Sequence, residues 1–110
     1  MAGSFHLKKA TNGQFYFNLK SGNGETILTS EMYVAKSSAE AGIASVQANS
    51  PKDERYSKAV ASNGKPYFTL KAANNQVIGR SEMYDSEASC DAGVASVKAN
   101  GATTTIKDDA

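Results

Sequence analysis

Few residues in this 110-residue chain have the chemistry of a catalyst. The single cysteine, Cys90, is the obvious nucleophile, and the single histidine, His6, is the side chain that titrates nearest neutrality. Those two cannot build a Cys/His zinc site. Two carboxylates, Glu31 and Glu82, sit in identical runs, Ser30-Glu31-Met32-Tyr33 and Ser81-Glu82-Met83-Tyr84. A carboxyl pair held across one bond can act as acid and base. Tyr16 with Lys20, and Tyr67 with Lys71, place an aromatic ring and a cation four residues apart on what reads as a strand. Both then point the same way, an arrangement that can stack a planar ligand and hold its negative group. The Asn-Gly pairs at Asn12-Gly13 and Asn23-Gly24 lack the Gly-x-x-x-x-Gly-Lys-Ser/Thr spacing of a phosphate loop and read as turns.

Positioning these residues is the work of one ordinary domain. Apolar residues make up 40% of the chain and charged residues 21%, enough for a single core without disulfide help. Twelve Lys and Arg against eleven Asp and Glu leave a net charge of +1, which argues against a dedicated DNA binder. A lone cysteine excludes an internal disulfide framework and favours a reducing compartment. Met1 to His6 lacks the apolar stretch of a signal peptide, and no run approaches membrane-spanning length. A cytoplasmic protein without membrane contact is the expectation.

The chain matches itself at an offset of 51 positions. Asn12 to Ser50 lies over Asn63 to Gly101 without a gap, and about half of the 39 paired residues are identical. Two copies are too few for a solenoid or propeller, so the duplication predicts a pseudo-twofold domain, a dimer fused into one chain. In each copy, alternation predicts strands at Gln14 to Lys20 and Lys65 to Lys71, with Phe15, Phe17, Leu19, Phe68 and Leu70 inward. Phe5 to Lys9 and Tyr56 to Val60 read as first strands, Thr26 to Thr29 and Val77 to Arg80 as third strands. Pro66 belongs at a strand start or an unpaired edge position. The period then changes to that of a helix at Ala39, Gly42, Ile43 and Val46, repeated at Cys90, Gly93, Val94 and Val97. Ser37 with Glu40 has capping-box spacing, Ser86 is a candidate N-cap, and Asn49 and Asn100 suit left-handed C-terminal caps. The expected layout is repeat one about 4–50, a charged linker 51–55, repeat two about 56–101 and a tail 102–110. Thr103 to Ile106 could form a short strand before the last residues fray. The fold class is therefore α+β: two tandem βββα repeats forming one antiparallel sheet, with the helices packed on one face.

The residues Asn12-Gly13, Tyr16-Phe17-Asn18-Leu19-Lys20, Asn23, Ser30-Glu31-Met32-Tyr33, Ala41-Gly42-Ile43-Ala44-Ser45-Val46 and Ala48-Asn49 resemble the YegP-like family of small bacterial proteins. Copy two carries the same pattern from Tyr67 to Val97. The resemblance implies one joint antiparallel sheet with helices across it. It brings no catalytic residues, because the family is one of unknown function. Copy two departs at Pro66 and at Gly79, which stands where copy one has Leu28, so strict twofold symmetry is in question.

Cys90 corresponds to Ala39 on the apolar helix face, which favours a small buried hydrophobe over a reactive thiol. His6 is out of phase with Phe5 and Leu7, and copy two has Ser57 there, so it belongs on the sheet surface without a partner base. The Ser-Glu-Met-Tyr runs read either as a pair of junction pockets built from Ser30, Glu31, Tyr33, Ser81, Glu82 and Tyr84, or as connections in which Ser and Glu satisfy backbone donors while Met and Tyr plug the core. Three functions stay open. The first is a non-enzymatic binding or interaction module with an unknown protein or small ligand as partner, monomeric and without cofactor or metal. The second is weak binding of single-stranded nucleic acid or anions through Tyr16, Lys20, Tyr67 and Lys71. The third is an enzyme with a site at the junction of the copies, disfavoured because no nucleophile–base set is visible.

Overall fold

The computed structural model describes residues 3–110, so Met1 and Ala2 of the N-terminal reading lie outside the described residues. Alternating apolar residues between tight turns can bury only one face, and each copy accordingly forms three strands. They are β1 (Ser4–Lys9), β2 (Phe15–Lys20) and β3 (Thr26–Ser30), then β4 (Tyr56–Val60), β5 (Pro66–Lys71) and β6 (Val77–Arg80). A helix follows each meander, α1 (Lys36–Asn49) and α2 (Glu87–Asn100), and β7 (Ile106–Asp108) closes the chain. Gly13, Gly24, Gly64 and Asn75 take positive φ values of 85°, 86°, 84° and 69° at the turns. Pro66 opens β5, where the missing N–H interrupts no ladder interior.

The strands lie in the order β4-β5-β6-β3-β2-β1-β7. β3 and β6 join the two meanders antiparallel, Thr29 opposite Arg80 and Ser30 opposite Gly79. The sheet is antiparallel throughout except for β7, which runs parallel to β1 with Phe5 opposite Ile106. The tail strand thus forms later than the expected 103–106, and Lys107 and Asp108 are held rather than frayed. The cause is a set of anchors beside β1 and at the start of α1. The Thr103 hydroxyl donates to the Gly3 carbonyl at 2.8 Å, the Phe5 N–H donates to the Thr105 carbonyl at 2.9 Å, and Lys36 pairs with Asp108 at 2.6 Å.

Both helices cover one face over a single core. Each touches both copies: α1 packs on β1, β2, β5 and β6, and α2 on β5, β2 and β3. Phe17 and Phe68 are fully buried, each meeting a second ring edge-on at 5.8 Å (Phe5 and Tyr56) and stacking on a tyrosine, Tyr33 at 6.4 Å and Tyr84 at 6.3 Å. Truncating either phenylalanine to Ala would cost about 3–5 kcal/mol. Gly42 and Gly93 make room for these rings. A Cβ on Gly42 would lie 2.6 Å from the Tyr33 hydroxyl, and one on Gly93 would overlap the Tyr84 hydroxyl.

The third strands are bulged: opposite Leu19/Lys20 and Leu70/Lys71 the extra residue buries Ile27 beside Leu28 and Ile78 beside Gly79. Two capping expectations need correction. No capping box forms at Ser37: α1 starts at Lys36 behind Ala35, which has no side-chain oxygen, so Ser37 falls inside the first turn. Ser86, the equivalent of Ala35, does cap α2, accepting from the Ser89 N–H at 3.1 Å. Asn49 and Asn100 are not left-handed caps. Both remain helical, and the residues that follow, Ser50 and Gly101, are right-handed with φ of −58° and −68°. The asparagine amides instead donate back to the Ser45 and Ser96 carbonyls at 2.8 and 2.7 Å.

Candidate functional site

With both helices on one face, the other face of the sheet is uncovered among the described residues. The register lays one row of outward side chains across all seven strands: Lys107, His6, Asn18, Thr29, Arg80, Thr69 and Ser57. Asn18 and Thr29 are tied by a 3.0 Å hydrogen bond from the threonine hydroxyl. Tyr16, Lys20, Tyr67 and Lys71 flank this row, each half-buried. Because β2 and β5 run in opposite directions, Tyr16 lies on the same side of the row as Lys71, and Tyr67 on the same side as Lys20. Three strand spacings separate β2 from β5, roughly 14 Å, and four residues along a strand span about 13 Å, so the four side chains stand near the corners of a square on one face and not in one cluster.

The outward strand positions carry five cations, Lys8, Lys20, Lys71, Arg80 and Lys107, and no carboxylate among the described residues. A chain of net charge +1 has therefore sorted its charges: acids such as Asp53, Glu87, Asp91 and Asp108 pair with lysines around the helices instead. Near one end of the face a concavity of about 430 Å³ is lined by Ser4, His6, Lys20 and Lys107 together with Gly22 and Gly24 of the β2–β3 turn. Burial and then the charges of Lys20 and Lys107 lower the His6 pKa from its ordinary value, and Asp109 opposes this only in part. The Ser4 hydroxyl lies 3.0 Å from His6 Nε2. A neutral imidazole among lysines is a setting that favours an anion over a cation. Sequence reasoning singled out Tyr16, Lys20, Tyr67 and Lys71. It missed Lys8, Arg80 and Lys107: Lys8 was legible from alternation, two residues after His6, whereas Arg80 and Lys107 join the face only through the β3–β6 and β1–β7 registers.

The two Ser-Glu-Met-Tyr runs meet only in part: Ser30 of the first and Ser81, Glu82 and Met83 of the second line a concavity of about 290 Å³ beside Thr29 and Arg80, while Glu31, Tyr33 and Tyr84 lie outside it. Ser30 and Ser81 are buried, each hydroxyl accepting the N–H of a core phenylalanine, Phe17 at 2.8 Å and Phe68 at 2.9 Å. Tyr33 and Tyr84 are the rings stacked on those phenylalanines. Glu31 and Glu82 are exposed, and Met32 and Met83 are 53% and 48% exposed, so methionine does not plug the core as expected. Both methionines lie beyond the ends of β3 and β6, and Met83 lines the concavity beside Arg80 and not the core. The β3–β6 register sets Glu31 level with Ile78 and Glu82 level with Ile27, about 13 Å apart along the strands, too far for a carboxylate dyad. Cys90 is fully buried, and burial pushes its thiol pKa up, away from the reactive thiolate.

A further concavity, about 670 Å³, lies where α2 crosses the β2–β3 turn of the other copy, lined by Ser21, Glu25, Tyr84, Ser89, Ser96 and Asn100. Of the six junction residues only Tyr84 reaches it. Burial raises the Tyr84 pKa, the wrong direction for a base near neutral pH.

Residues 10–57 and 61–108 each match the family described as a domain of unknown function, DUF1508, and the two matches start 51 residues apart. The chain is 63% identical over 108 residues to the UPF0339 protein YegP of Escherichia coli K12, covering 98% of each chain. It is 61% identical to the UPF0339 protein of Acinetobacter baylyi, covering 98% of this chain and 97% of that one. The solution structure of E. coli yegP, a protein of unknown function, superposes with a TM-score of 0.94 at 62% identity, covering 99% of this chain and 94% of that one. That of the UPF0339 protein SO3888 from Shewanella oneidensis gives 0.92 at 61%, covering 98% and 92%. With the duplication, the fold and these likenesses in agreement, the chain belongs to the YegP-like UPF0339 family, as a tandem of two DUF1508 units.

Proposed function

We propose that the protein is a non-enzymatic binding module whose uncovered sheet face takes an extended anionic ligand with planar groups, short single-stranded nucleic acid being the type case. The observation that carries this reading is the segregation of five cations and two tyrosines onto one face of a nearly neutral chain. Stacking on Tyr16 and Tyr67 would contribute about 1–3 kcal/mol per base, and the lysines and Arg80 would hold phosphates. The separation of Glu31 from Glu82 and the burial of Cys90 support a role without catalysis. A bland reading competes: Tyr is a good strand residue, and Lys keeps sheets from aggregating.

The test is binding of short single-stranded oligonucleotides at low and moderate salt. The parent is compared with Tyr16→Ala/Tyr67→Ala and Lys20→Ala/Lys71→Ala, and inorganic polyphosphate serves as the base-free probe. Saturable binding that weakens with salt and in both double variants is expected, with the tyrosine pair affecting only the oligonucleotide. Absence of binding at low salt, or equal binding by the folded variants, would leave these residues as scaffold.

A further inference from the structure

The two copies differ in what lies on the outer edge of their first strand. Alongside β1 runs the chain's own tail, whose Thr105 carbonyl and Asp109 N–H engage the Phe5 N–H and Leu7 carbonyl. Alongside β4, the repeat equivalent of β1, no strand runs among the described residues. The Tyr56 N–H, equivalent to that of Phe5, is already engaged by the Asp53 carbonyl. By the alternation of an antiparallel ladder, the Tyr56 carbonyl and both backbone groups of Lys58 then point away from β5 into solvent. Beside this edge, β4 and α2 flank a groove of about 420 Å³ lined by Tyr56, Lys58, Asp91, Val94 and Ala95. Val60 at the end of β4 is 69% exposed.

We infer that the β4 edge is a docking site for an extended peptide segment of a partner protein, added parallel to β4 as β7 is added to β1. The tail supplies the template for the occupant's chemistry. Ile106 faces the helix side opposite Phe5, and Asp108 meets Lys36 of α1. In copy two the equivalent of Lys36 is Glu87, and Lys58 is shared between Glu87 at 3.3 Å and Asp91 at 2.5 Å. One ammonium between two carboxylates leaves a negative charge uncompensated. The segment that fits therefore carries an apolar residue in place of Ile106 and, two residues on, a lysine or arginine in place of Asp108. Its backbone supplies affinity and these two side chains supply choice.

The probe is a synthetic peptide of residues 103–110 carrying Asp108→Lys, titrated into the full chain while backbone amides are followed by NMR. Saturable shifts centred on β4, with slowed exchange of the Lys58 amide, are expected. The same peptide N-methylated at Lys107 loses the donor aimed at the Tyr56 carbonyl and should bind about threefold to tenfold more weakly. The unsubstituted peptide should bind about twofold to fivefold more weakly, and Glu87→Gln, an exposed change, should erase that preference. Shifts centred on β1 and β7, no saturable shifts, or an N-methylated peptide that binds equally well would overturn the inference. Concentration-dependent shifts of β4 without any peptide would assign the edge to a second copy and overturn it as well.

Discussion

Thr29 and Arg80 hold the same position in the two copies and face each other across the β3–β6 ladder. The pseudo-twofold axis passes between them and emerges on the far side between Ser50 and Gly101, another equivalent pair in contact at the C-terminal ends of the helices. Equivalent residues compete for space at such an axis. Leu28 and Gly79 show the outcome: the Leu28 side chain fills the axis region, and a Cβ on Gly79 would lie 3.0 Å from its Cγ and 2.9 Å from the Thr29 carbonyl. The departure at Gly79 that puts strict symmetry in question in the sequence is thus a packing requirement of the fused dimer.

Restoring symmetry should therefore harm the fold. Gly79→Leu is expected to destabilise by about 1–3 kcal/mol through overpacking, read as a lower urea midpoint with an unchanged slope. Gly79→Ala should cost less, and Leu28→Ala combined with Gly79→Leu should recover part of the loss.

Gly42→Ala tests the tyrosine seats. Alanine improves helix propensity by about 1 kcal/mol, so an uncrowded site would be stabilised. Contact with the Tyr33 hydroxyl and Phe17 predicts the opposite sign, a net loss of about 1–2 kcal/mol in denaturant unfolding, partly relieved by Tyr33→Phe, which removes the nearest atom.

Cys90 should react with a thiol reagent far more slowly in the native protein than after unfolding, since it is fully buried and its pKa is raised. Cys90→Ala should fold with a loss of about 1 kcal/mol, because Ala39 already serves at that position. Immediate labelling of native protein would contradict the burial.

His6 should titrate below the ordinary histidine value in an imidazole-resolved NMR titration. Its folded pKa being the lower one, the unfolded chain takes up the proton first as pH falls. The His6 share of stability is full above the ordinary histidine pKa of about 6.5, declines as pH drops through it, and stops declining below the folded pKa. Lys20→Ala should move the folded pKa upward, and His6→Gln should remove this part of the pH dependence.

Most of the architecture was legible because two independent copies obey one pattern. All six meander strands, both helices and the Ser86 cap follow from spacing. Tertiary effects hid the rest. The bulges at Ile27 and Ile78 follow from pairing register with β2 and β5, the start of α1 at Lys36 was masked by the attractive spacing of Ser37 and Glu40, and the parallel seat of β7 depends on Thr103 and Asp108 finding partners far away in sequence. The candidate face was half legible. Alternation sends Tyr16 and Lys20 outward, but only the register across β3 and β6 brings Arg80 to its centre and Lys107 to its rim.

The most direct measurement of the central claim is a chemical-shift titration of the full chain with a short single-stranded oligonucleotide at low salt, following backbone amides and the His6 imidazole together. Binding to the uncovered face predicts saturable shifts confined to the sheet, strongest at the outward positions of β7, β1, β2, β3, β6 and β5, with the His6 pKa rising in the complex because phosphate offsets the Lys20 and Lys107 charges. Shifts that map to the helix side, or a His6 titration unchanged at saturation, would contradict it.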